Sequence, residues 1–79
     1  MAFVDILDDA MYSRIKLIVE TKDRGVFTGI PHSVDDFETD DERLGYFIEV
    51  GDHLLSSVYL DEIVEIKDSE TEAVLSKAV

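Results

Sequence analysis

Ile15-Lys16-Leu17-Ile18-Val19-Glu20-Thr21-Lys22-Asp23-Arg24-Gly25-Val26-Phe27-Thr28-Gly29 carries two strands and the turn between them. Ile15, Leu17 and Val19 alternate with Lys16, Ile18 and Glu20. This period of two, rich in β-branched residues, makes residues 14–21 a strand. Lys22-Asp23-Arg24-Gly25 supplies the Asp and Gly of a tight hairpin turn, and residues 26–34 resume the extended pattern with Val26, Thr28 and Ile30 on one side. Gly29 and Pro31 inside this second strand predict a bend or bulge, because proline has no N–H to donate and must sit at an edge or a break in pairing.

Upstream, Phe3, Val4, Leu7, Ala10 and Met11 recur at three- and four-residue spacing opposite Asp5, Asp8 and Asp9, which predicts a short amphipathic helix. The early acids suit the helix dipole, but so short a helix is marginal alone and must dock its apolar stripe. Downstream, Asp35, Asp36, Glu38, Asp40, Asp41 and Glu42 surround Phe37 and Thr39 without periodicity and read as an exposed loop. Leu44, Tyr46, Ile48 and Val50 share one face of a third strand, and Gly51-Asp52 predicts a turn. Residues 53–60 and 63–67 are the fourth and fifth strands, with Asp61-Glu62 between them. Residues 68–79, through Ala73, Val74 and Leu75, read as a tail or a short helix. A helix followed by short strands and tight turns predicts a mainly β fold: a small, strongly bent, five-stranded antiparallel barrel over residues 1–67.

A chain of 79 residues suits one domain with a modest core. Apolar residues make up 46% of it, enough for a packed interior despite the charge. Nineteen acidic against seven basic residues give a net charge of −12, which repels phosphate backbones and anionic lipid surfaces. Residues 14–31 are the exception: Arg14, Lys16, Lys22 and Arg24 outnumber Glu20 and Asp23, leaving +2. The absence of cysteine excludes a disulfide framework and a thiolate metal site, and makes a cytoplasmic location the expectation. The first residues lack a basic n-region and acids interrupt every apolar run, so neither a signal peptide nor a membrane span is expected.

The run from Ile15 to Gly29 with Asp35-Asp36-Phe37 resembles the first conserved block of Sm-like barrels, and Val58-Tyr59-Leu60-Asp61-Glu62-Ile63-Val64-Glu65-Ile66 resembles their closing two strands. SH3-like barrels share this alternation. The resemblance implies RNA binding, in which a base sits between an aromatic or His side chain and an Arg while an Asn after the second strand hydrogen-bonds it. Phe37 matches the aromatic position, but Glu38 and Thr39 follow where the Asn is expected, and the chain contains no Asn. Tyr59-Leu60-Asp61 stands where a basic residue is expected, and the acids around Phe37 are hostile to phosphate. Leu60-Asp61-Glu62-Ile63 is faintly similar to the acidic Sm-like inhibitors of the transcription terminator Rho, which implies a protein that meets a basic surface.

No catalytic constellation stands out. The many carboxylates lack the apolar context that shifts a pKa, and read as a solvated surface. The loop from Asp35 lacks the Gly and Glu of a calcium-binding EF-hand loop. His32, Ser33 and Asp35 adjoin without a nucleophile-elbow context, and His32 and His53 lack a spacing that would bring them to one metal with Asp35 or Asp52. Neither enzymatic activity nor a metal or cofactor is expected. Ile18, Phe27, Phe47, Leu55 and Tyr59 are apolar on the second faces of their strands, so either the helix or tail covers them or Phe27, Phe47 and Tyr59 form an interface. The expected function is a non-enzymatic interaction module acting as a regulator. Asp35, Asp36, Phe37, Glu38, Asp40, Asp41 and Glu42 would bind a basic protein surface. The alternative is an RNA-binding Sm-like ring using Lys16, Lys22, Arg24 and Phe37, and self-association through barrel edges is compatible with either.

Overall fold

The computed structural model describes residues 2–35 and 44–78. The chain is mainly β with one short N-terminal helix. The elements run α1 (Phe3–Ser13), β1 (Leu17–Thr21), β2 (Val26–Asp35), β3 (Gly45–Gly51), β4 (Leu54–Tyr59), a 3₁₀ turn (Leu60–Glu62), β5 (Ile63–Asp68) and β6 (Val74–Lys77). All pairings are antiparallel, in the order β4-β3-β2-β1-β5-β6.

β2 organises the sheet. Its first half pairs with β1 from Val26 to Gly29, and its second half with β3 from Ile30 to Asp35. The register shifts between Pro31 and Ser33. Pro31 therefore lies beyond the last β1 pairing, where its missing N–H leaves no β1 ladder bond unmade. The bend foreseen from Gly29 and Pro31 is present. Gly29 has a second reason to be glycine: a Cβ there would fall 2.1 Å from the Glu49 carbonyl oxygen.

Connectivity forces the sheet to curl. β4 and β5 are joined only by the 3₁₀ turn, yet three strands separate them in the sheet. Four interstrand spacings of about 4.8 Å would put them about 19 Å apart if flat. The chain from Tyr59 to Ile63 spans at most about 14 Å. The curl stops short of the five-stranded barrel expected from the sequence: among the described residues there are six strands, and no ladder joins β4 to the other end. β6 occupies the free edge of β5, and it replaces the expected tail or short helix. The reversal into β6 rests on Asp68, whose Oδ1 accepts the backbone N–H groups of Glu70 and Thr71 at 2.8 and 3.1 Å, and on Glu72 in the left-handed region at φ 60°.

The core comprises Ile6, Leu7 and Ala10 of α1 with Leu17, Val19, Tyr46, Ile48, Val58, Ile63 and Ile66. Ile63 and Ile66 cannot both face inward in a regular strand of period two. A bulge resolves the conflict, since Glu20 pairs with Glu65 but Thr21 pairs with Ile63. The helix ends at Arg14, whose φ of 55° is left-handed, while the Ile15 N–H bonds back to the Ala10 carbonyl at 2.9 Å.

Candidate functional site

Three polar and apolar features stand at the surface of this scaffold. The first is a clasp at the corner where the sheet curls. The β1–β2 turn is held by buried Thr21, whose hydroxyl donates to the Gly25 carbonyl at 2.7 Å and accepts the Arg24 N–H at 3.1 Å. Gly25, at φ 84°, supplies the left-handed residue that the turn requires. Arg24 is thereby aimed across the corner. Its Nε donates to Glu62 Oε1 at 2.8 Å, a second guanidinium nitrogen donates to Glu62 Oε2 and to the Ser57 carbonyl, and its Cζ stands 5.3 Å from the Phe27 ring centre. The Lys22 N–H donates to the Glu62 carbonyl at 2.9 Å. One side chain thus ties the hairpin turn, β4 and the 3₁₀ turn together.

The second feature fastens the helix to the sheet. The Tyr46 hydroxyl, on a side chain only 2% exposed, donates to Asp8 Oδ1 at 2.5 Å. Burial, the bond to Asp8 and the nearby charges of Asp8 and Asp5 hold this phenol well above its ordinary pKa. In the unfolded chain the same phenol ionises near pH 10. The folded form keeps the proton there, so its contribution is full below about pH 10 and is lost as the pH rises beyond that. Urea denaturation across this range is expected to show stability falling above about pH 10, and Tyr46→Phe to flatten that fall.

The third feature is a groove between the helix and the sheet edge. Buried Ile6, Ala10 and Leu17 form its floor, and half-exposed Ile15 and Leu75 form its rim. Two carboxylates complete the lining, Asp9 from α1 and Asp68 from the end of β5, and among the described residues no basic side chain lines it. The space measures about 220 Å³, larger than the roughly 150 Å³ apolar cavity that admits a benzene ring.

The acidic loop singled out by the sequence lies mostly outside the described residues. Asp35 is the last residue of β2, opposite Gly45, while Asp36, Phe37, Glu38, Asp40, Asp41 and Glu42 fall between the described segments. Phe27 lies opposite Val19 and packs against the core, so it occupies the inner face, not the second face read from the sequence. Phe47 pairs with Ser33 and Ser57 on the face opposite Tyr46. Tyr59 is opposite Gly45 and lines a shallow pocket with Asp23, Arg24 and Glu62. The four cations of residues 14–31 are divided: Arg14 and Lys16 precede β1, and Lys22 and Arg24 follow it. His32 sits at the β2 register shift with its Nδ1 3.1 Å from Ser33 Oγ, and His53 takes a left-handed conformation between β3 and β4. Among the described residues no three His, Asp or Glu side chains gather as metal ligands, and no helix is long and apolar enough to cross a membrane.

The groove was missed in the sequence because Leu75 belongs to a segment without recognisable period. The available signal was Asp68, two and three residues ahead of Glu70 and Thr71, a position from which an Asp side chain reverses the chain. Comparison of this chain with family models, curated proteins and solved structures finds no match.

Proposed function

We propose that this protein is a non-enzymatic interaction module that binds a basic protein surface as a regulator in the cytoplasm. The observation that carries the reading is charge: net −12, with Asp5, Asp9, Glu20, Asp23, Asp52, Asp61, Glu70 and Glu72 exposed along the chain from the helix to the β5–β6 turn. Two of the cations are already engaged, Arg24 with Glu62 at 2.8 Å and Lys67 with Glu65 at 3.3 Å. The field around the molecule therefore draws in positive partners and repels polyanions. Asp35, Asp36, Glu38, Asp40, Asp41 and Glu42, with Phe37 among them, form the densest acidic segment and steer the encounter.

We further propose an Sm-like plan for α1 and the first five strands. The helix followed by strands in the order β4-β3-β2-β1-β5, the long bent β2 and the 3₁₀ link between β4 and β5 support that reading, with β6 as an addition. The RNA-binding version of the plan is disfavoured, because Lys16 and Arg24 lie at opposite ends of β1 and the Arg24 guanidinium is held by Glu62.

The test is fluorescence anisotropy of a labelled deca-lysine peptide and of a labelled uridine-rich RNA, each titrated with the protein at low and raised salt. The peptide is expected to bind and to weaken steeply with salt, and the RNA to stay free. Binding of the RNA without binding of the peptide would overturn the proposal.

A further inference from the structure

From the groove between α1 and β6, we infer that this protein captures an aliphatic side chain flanked by Lys or Arg. The inference rests on the basic-partner reading and assigns that partner a point of contact.

The groove combines two properties that call for one ligand chemistry. Its floor, Ile6, Ala10 and Leu17, is apolar and closed by the core beneath, while Ile15 and Leu75 stand 40% and 39% exposed at its mouth. An aliphatic group seated there removes these two side chains and itself from water, which favours its binding. Among the described residues the polar part of the lining is anionic alone: Asp9 on the helix wall and Asp68 on the sheet wall. Asp9 has no ion-pair partner among the described residues. Asp68 is held in place by the turn, since its Oδ1 accepts from the Glu70 and Thr71 N–H groups, so it presents a positioned carboxylate to an incoming cation.

Charge complementarity selects the occupant. A neutral apolar segment would cover two carboxylates without giving them a counter-charge, which costs desolvation free energy. A second copy of this chain would bring its own −12 against the same field. A segment with Leu or Ile between Lys or Arg residues satisfies floor and rim together, with the cationic stems lying along Ile15 and Leu75 and their heads reaching the acids.

The experiment uses methyl-resolved nuclear magnetic resonance of the full chain titrated with three capped tetrapeptides: Lys-Leu-Leu-Lys, Lys-Ser-Ser-Lys and Glu-Leu-Leu-Glu. The first is expected to shift Ile6, Ala10, Ile15 and Leu75 above all other methyls, and the other two to leave these positions unmoved. Asp9→Asn and Ile15→Ser, both at exposed positions, are each expected to weaken that binding about fivefold while the spectrum elsewhere stays native, in line with loss of one exposed ion pair or one partly buried apolar contact. Equal, scattered shifts from the two Lys peptides would overturn the groove assignment and leave the basic-partner reading standing. Groove shifts from the Glu peptide would overturn the charge selection. Absence of binding by both Lys peptides at low salt would overturn this inference and the basic-partner reading together.

Discussion

Gly29→Ala is expected to remove about 3 kcal/mol of stability, a large share of what a domain this small holds within the usual ~5–15 kcal/mol. The added Cβ would meet the Glu49 carbonyl oxygen at 2.1 Å, the Glu49 carbonyl carbon at 2.8 Å and Ile48 Cγ2 at 3.0 Å. Two of these are backbone atoms of β3, which cannot retreat without opening the Ile30–Glu49 and Pro31–Ile48 pairings. The clash falls where β2 leaves β1 and joins β3, so relieving it would flatten the bend on which the curl depends. Gly25→Ala is the comparison: nothing lies within 4 Å of its Cβ position, and the cost is only the left-handed backbone, about 1 kcal/mol. Urea denaturation followed by circular dichroism gives both values. Similar midpoints for the two variants would mean that β2 and β3 do not approach so closely.

Ile48→Ala is expected to cost about 2–5 kcal/mol, and Val50→Ala, two residues along the same strand, less than about 1 kcal/mol. Ile48 is fully buried at 0% exposure, whereas Val50 is 37% exposed. Both belong to one alternating set, so the difference measures where the core ends along β3. Equal losses would extend the core to the strand terminus. The same urea experiment reads the result.

Much of this architecture was legible because it is written in local chemistry. Asp23 and Gly25 mark the hairpin, Gly29 and Pro31 mark the bend, and the period of two from Ile15 to Glu20 places Leu17 and Val19 inside. What alternation leaves open is which of two faces a strand presents after a turn. The left-handed Gly25 turn pairs Val19 with Phe27, and this turns Phe27 inward and Val26 out to 58% exposure. Ile63 and Ile66, three apart, fit neither a plain strand nor a helix until the Val64 bulge is known. β6 has only four residues and owes its conformation to pairing with β5, a tertiary effect with no local signature. The groove is less legible still, since Ile15 and Leu75 come from opposite ends of the chain and meet only through the fold. The acidic segment is the reverse case: composition alone marks it, and all but Asp35 of its acids lie outside the described residues.

The most direct test of the central claim repeats the deca-lysine titration on a chain carrying Asp36→Asn, Glu38→Gln, Asp40→Asn and Asp41→Asn together. Loss of four carboxylate charges at a few tenths of a kcal/mol each predicts affinity lowered about tenfold at low salt, with a shallower salt dependence. Unchanged affinity and unchanged salt dependence would contradict the account, because the densest acidic segment of the chain would then play no part in meeting a basic partner.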